Sequence, residues 1–352
     1  MSGPNQHIGV PPSAPTDEPT GSSAAKGALD AADYTAFLAR EYFEDYLPSG
    51  GTAIKFVVTA SDVVAEEFSE QLAAAAAAGG LLHVTVDAVT TRIHLIDEVV
   101  FAIARQLDWL GMARRATRRA MAATGYWPPP NSGAEEPIGV AELAALHRVD
   151  PSELTRDLNR QLQAEVMRDY SMAHDFRIAM LRLCQAELST GQVTDNERDA
   201  IVEWLHGELR QLSLLKSAGI FRRIGRHNAR AVLFSVCRWV VASGSSGLVV
   251  ELDARRLGFA RRPLPEERNG FYYTKAALLD AYELLRQLVD NTDELSRCAV
   301  VVLAAAEFVT DEARGIGAYQ ALKLRVHDEV RDRHRQNPFA SLVRLSETAA
   351  NR

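Results

Sequence analysis

The stretch Gly50-Gly51-Thr52-Ala53-Ile54-Lys55-Phe56-Val57-Val58-Thr59-Ala60-Ser61-Asp62-Val63-Val64-Ala65-Glu66 decides the fold. A glycine pair breaks the preceding segment, and Ile54–Val58 is then a continuous apolar run, the pattern of a strand covered on both faces. From Asp62 to Ala78 the pattern is helical, and a second strand is expected at Leu81–Val86. The chain therefore opens as a strand, helix, strand unit. Two further apolar runs, Gly247–Asp253 and Ala299–Ala304, flank a helix expected over Lys275–Val289. Together these runs predict an α/β protein with a mainly parallel sheet.

The loops after the strands carry the chemistry. A phosphate-binding loop needs glycines that let the backbone curl round the anion, then a Lys, then a Ser or Thr that ligates magnesium. After Val58 the chain reads Thr59-Ala60-Ser61-Asp62, without a glycine. Ala65 stands at the lysine position and Glu66 at the metal-ligand position, and Asp62 adds another carboxylate that repels an anion. The run Leu248–Leu252 ends at Asp253, which suits a magnesium-side aspartate, but Ala254 follows where a water-activating Glu belongs. Thr59, Ser61, Asp62, Ala65, Glu66, Asp253 and Ala254 are thus the remnants of a nucleotide pocket.

Between the second and third strands the sequence is helical. Helices are expected over Leu95–Met121, Val140–His147, Pro151–Tyr170, Ala173–Leu188, Asp195–Leu215 and Arg226–Ser243, with a loop from Tyr126 to Gly133. The helical insertion spans residues 92–243. Residues 1–30, rich in Pro, Ser, Gly and Thr, read as a disordered tail, the folded part as 31–346, and 347–352 as a short end. With 352 residues and 47% apolar content a sizeable core is within reach. No run has the length of a membrane span, and the first residues lack the basic and apolar regions of an export signal. Cys184, Cys237 and Cys298 lie far apart in apolar stretches, as reduced core thiols do, so the cytoplasm is the expected compartment. A net charge of -7 argues against coating nucleic acid by overall charge.

The blocks Gly50–Val58, Asp175-Phe176, Glu203-Trp204-Leu205-His206-Gly207-Glu208, Gly247–Asp253, Ala281–Asp290, Ala306-Glu307-Phe308 and Ala318–Arg325 occur in an order that resembles the ATP-binding protein family of BREX-type phage-defence systems. The resemblance runs from Tyr34 to Leu345. It implies an AAA-like P-loop NTPase domain, interrupted here by the helical insertion, with ATP and magnesium as the family's cofactors. Relatives carry a glycine-rich Lys-Thr/Ser loop after the first strand and a Glu after the Asp253 position, and this sequence departs at both. The implied role is a non-catalytic subunit that partners a homologous, active ATPase and other defence-system proteins. Two alternatives stand beside it: a weak ATP-binding subunit with an atypical site, and a nucleic-acid adaptor.

Other signals are weighed on their own. Lys323 and Arg325 are candidates for cations presented to a neighbouring subunit's nucleotide or interface. Arg222, Arg223, Arg226 and Arg230 form a basic cluster that could face phosphates or an acidic partner, as do Arg114, Arg115, Arg118 and Arg119 and, more loosely, Arg255, Arg256, Arg261 and Arg262. No aromatic residue is read as interleaving them. Glu251 interrupts an apolar run. It fits pairing with a helix cation, an exposed edge facing a partner, or a half-covered strand. The histidines, His334 among them, show no HxxxH or HExxH spacing, so zinc is not implied. Ser243–Gly247 precedes its strand, as a linker turn does and a serine-hydrolase elbow does not.

Overall fold

The computed structural model describes residues 28–129, 139–259, 269–327 and 336–346, with residues 133, 264 and 266. The expected tail up to residue 27, Pro130–Ser132, Arg261, Arg262, His334 and the end at 347–352 lie outside the described residues.

Among the described residues six parallel strands form one sheet: β1 (Leu29–Asp30), β2 (Thr52–Thr59), β3 (Leu81–Asp87), β4 (Gly247–Asp253), β5 (Cys298–Ala305) and β6 (Leu342–Ser346). Their order across the sheet is β1-β6-β2-β5-β4-β3. The architecture is α/β and P-loop NTPase-like. Strand β2 and strand β3 are parallel but not neighbours, because β5 and β4 lie between them. The first strand-helix-strand unit therefore spans the sheet instead of pairing its own strands. Strands β2 and β5 align along their whole length, from Thr52 opposite Cys298 to Thr59 opposite Ala305. Both β1 and β6 escape sequence reading, since two and five residues are too short for periodicity to register.

Alternation along the strands sorts the core into two layers. Val57, Val249, Ala299, Val301 and Leu303 face α1 (Ala31–Leu38) and α2 (Asp62–Ala78), where Tyr34, Phe68 and Leu72 fill the space. Phe56, Leu248, Val250, Val300 and Val302 face the inserted helices and α10 (Lys275–Asp290). Helix α2 covers the residues expected, Asp62–Ala78, with Val64, Ala65, Phe68, Leu72 and Ala76 buried at helical spacing.

Among the described residues seven helices connect β3 to β4: α3 (Ile96–Ala104), α4 (Trp109–Ala123), α5 (Val140–His147), α6 (Pro151–Leu162), α7 (His174–Glu187), α8 (Asp195–His206) and α9 (Ala229–Ala242). The stretch expected as one helix over Leu95–Met121 is two. Asp108 caps the second by accepting from the Gly111 amide at 2.9 Å, and the Trp109 indole donates to the Ala104 carbonyl at 2.8 Å. The helix expected from Asp195 to Leu215 stops at His206. Gly207 closes it at φ 75°, a left-handed conformation that favours glycine, and a Cβ there would meet the Phe101 ring at 2.7 Å and displace it. Pro151–Tyr170 likewise ends its α-helix at Leu162 and continues as a π turn to Met167. Helix α9 starts at Ala229, three residues later than expected, so Arg222, Arg223 and Arg226 sit on a loop and not on a helical face. Among the described residues no helix is long and apolar enough to cross a membrane.

Candidate functional site

A cleft of about 380 Å³ opens at the carboxyl ends of β2, β4 and β5, the edge where open α/β sheets place their ligands. Thr59, Ser61, Asp62, Asp253, Arg255 and Glu307 are among the residues that line it. The sheet order thus brings together most of the remnant positions named above, which are 191 residues apart between Asp62 and Asp253.

The connection from β2 to α2 consists of Ala60 and Ser61 alone. Ser61 is extended, at φ -150° and ψ 167°, and its hydroxyl accepts from the Val64 amide at 3.4 Å, so the helix terminus is capped from within the chain. A cradle for phosphates needs several successive amides turned inward by glycines, and two residues leave no length for it. Ala65 is completely buried against the core and Glu66 is exposed, so neither side chain adds a cation to the cleft.

Arg255 occupies the floor. Its Nη2 donates to Asp253 Oδ2 at 2.6 Å, its Nε to Oδ1 at 3.0 Å, and its Nη1 to Asp62 Oδ1 at 2.6 Å. The hydrogen bonds to Asp253 hold the guanidinium more firmly protonated than usual. The fork engages both oxygens of Asp253, a geometry that an ammonium could not reproduce. Asp253 is therefore neutralised by a side chain two residues along. Ala254 turns away, with its amide donating to the Leu303 carbonyl at 2.8 Å and its side chain buried. Arg256 is committed elsewhere, to the carbonyls of Phe271 and Asn269 at 2.9 and 2.6 Å. Sequence reading grouped Arg255 with a loose basic cluster. The available signal was its spacing, an Arg two residues beyond a strand-end Asp.

The remaining candidates lie elsewhere. Arg325, on α12 (Gln320–Val326), donates to Asp290 and, at 2.7 Å, to the Ala321 carbonyl. Asp290 ends α10 shortly before β5 begins, so Arg325 and its neighbour Lys323 lie toward the amino ends of the strands, away from the cleft. Arg222 donates to Asp175 at 3.1 Å, Arg223 to the Arg210 carbonyl at 2.5 Å, and Arg230 to Gln287. On α4, Arg114 pairs with Glu187 at 2.8 Å and Arg119 donates to the terminal carbonyls of α9. Glu251 corrects its sequence reading. It is 1% exposed on an internal strand, and it accepts from Ser69 of α2 and contacts His83 Nε2 of β3 at 2.9 Å. Neither a helix cation nor an exposed edge is involved.

Among the described residues no group of His, Cys, Asp and Glu is arranged to hold a metal ion. No curated protein and no solved structure matches the chain. A family model described as BREX system ATP-binding protein BrxC/D matches residues 140–352. That span contains α5 to α10, α11 (Glu307–Thr310), α12 and β4, β5 and β6, and it begins after β2, α2 and β3, the segment that holds the two-residue connector. With well over half of its length matched, and with a parallel P-loop NTPase-like sheet, the chain belongs to the BREX system ATP-binding protein BrxC/D family.

Proposed function

We propose that this chain is a non-catalytic, nucleotide-independent subunit of a phage-defence assembly, which partners an active ATPase of the same family. The single observation that carries the reading is the floor of the cleft. Only two residues connect β2 to α2, and the Arg255 guanidinium sits between two carboxylates of the cleft, Asp253 and Asp62. An internal arginine supplies the positive charge there without a nucleotide. The charge of Asp253 is thereby offset by a side chain of the chain itself.

Retention of the sheet without the site chemistry fits a role in assembly. Helix α12 supports this, because Leu324 is 66% exposed between Lys323 and Arg325, an apolar side chain flanked by cations on a helix that could be covered by a neighbouring subunit. Arg325 is already held in place by Asp290, so it is pre-positioned for such a contact.

The test is calorimetric titration of the full chain with ATP and magnesium, at concentrations that reveal a dissociation constant on the order of 1 mM. The expected result is no saturable heat and no rise in unfolding temperature. One-site binding that disappears in Asp253→Ala would overturn the proposal and restore a nucleotide-binding role.

A further inference from the structure

We propose that the loop Gly219–Asn228, together with Arg230 at the start of α9, is a binding site for single-stranded nucleic acid. This assignment is independent of what the cleft binds.

The first observation is charge segregation. The chain carries a net charge of -7, yet between Glu208 and Glu251 it has seven Lys or Arg and no Asp or Glu. Arg210, Lys216, Arg222, Arg223, Arg226 and Arg230 are all exposed. Arg223 and Arg230 are held by neutral acceptors, the Arg210 carbonyl and Gln287, which orient the guanidinium without cancelling its charge. Arg222 touches a carboxylate, Asp175, but is itself 64% exposed, where solvent screens the pair.

The second observation is Phe221, 64% exposed immediately before Arg222 and Arg223. An exposed aromatic ring beside guanidinium groups is the combination that holds unstacked bases while neutralising their phosphates. Duplex offers no free base face to such a ring, and this favours a single strand.

The third observation is that the loop is built and not slack. Ile220 and Ile224 are buried and pin it on either side of Phe221. The Trp204 indole donates to the Arg222 carbonyl at 2.9 Å, Asn228 Nδ2 to the Arg223 carbonyl at 3.1 Å, and the Gly225 amide to Asn228 Oδ1 at 2.8 Å. These anchors hold Phe221, Arg222 and Arg223 outward at little further entropic cost on binding. The loop delivers the chain into α9, whose start lies against α10 through Arg230 and Gln287.

The experiment is fluorescence anisotropy of a labelled oligothymidylate with the full chain, at salt concentrations from about 50 to about 200 mM. Each neutralised phosphate contributes about -0.7 to the slope of log K against log salt, so three contacts weaken binding about 18-fold over that range. Phe221→Ala is expected to weaken binding by about 5-fold or more while leaving the salt slope unchanged. Arg223→Glu with Arg226→Glu is expected to lower both affinity and slope. No binding at low salt, or binding that neither variant changes, would overturn the proposal. So would duplex binding indifferent to Phe221→Ala, or binding of polyglutamate but not of the oligonucleotide. All three side chains are exposed, and a retained unfolding temperature verifies that the variants are folded.

Discussion

Replacing Arg255 by alanine removes three side-chain contacts to Asp253 and one to Asp62, and the two carboxylates respond differently because their surroundings differ. The Asp253 side chain is 16% exposed and loses a two-pronged guanidinium, whereas the Asp62 side chain is 87% exposed and is solvated by water whether or not the arginine is present. Charge-assisted hydrogen bonds of this type contribute about 1.5–3 kcal/mol, and an uncompensated, largely buried carboxylate costs a similar amount. Because the pair borders an open cleft, the lower part of that range applies, about 2 kcal/mol, or roughly a 30-fold change in the folded to unfolded ratio. Urea denaturation of the full chain measures it. A double-mutant cycle of Arg255→Ala with Asp253→Ala is expected to give a coupling of about 1–2 kcal/mol, while Asp62→Ala alone shifts stability by no more than about 0.5 kcal/mol. Under the proposed function, Arg255→Ala is also expected not to gain ATP binding, since only Ala60 and Ser61 connect β2 to α2. A coupling near zero would refute the idea that Arg255 substitutes for the bound cation. Saturable magnesium-ATP binding by Arg255→Ala would show instead that the arginine is a plug over a competent pocket.

Two pH dependences follow from other charged groups. The Arg286 guanidinium, with a further hydrogen bond from Tyr319, holds the Glu283 carboxyl down at about 2 against an ordinary 4.5. Its stabilising contribution is complete above the ordinary value and is lost as pH falls toward 2, so the stability difference between the wild-type chain and Glu283→Gln should shrink between about pH 5 and about pH 2. An unchanged difference in denaturation midpoint across that range would contradict it. Lys55, 5% exposed within β2, donates to the Phe339 and Ala340 carbonyls at 2.7 and 3.2 Å, and burial pushes its ammonium down to about 8 from 10.5. The unfolded chain then binds the proton more tightly, so wild-type stability should rise relative to Lys55→Met as pH increases through that window. A flat difference would mean that the two carbonyls and the Tyr42 ring fully compensate for burial.

Local sequence determined what depends on neighbours a few residues apart. Helix α2 was legible to the residue because Ser61 caps it and Val64, Phe68 and Leu72 repeat on one face. The strands β2, β4 and β5 were legible because both of their faces are covered, which forces unbroken apolar runs. The residue types at Ala60-Ser61-Asp62, Ala65 and Ala254 could likewise be read directly, and the proposed absence of a nucleotide site starts from them. Breaks inside the helical insertion were not legible, since the Asp108 cap and the Gly207 turn sit within a periodicity that continues across them.

Tertiary structure decided what depends on strand order. Nothing local states that β5 and β4 lie between β2 and β3, so nothing local predicts that Asp62 and Asp253 share one guanidinium. Glu251 looked like a polar interruption until β3 and α2 brought His83 and Ser69 to it. Phe221, beside the arginines that sequence reading left without an aromatic neighbour, is exposed because Ile220 and Ile224 are anchored on either side of it. Side-chain periodicity is set by a few rotations of the backbone, whereas the pairing of charges across the sheet is set by long-range packing, and only the folded chain contains that information.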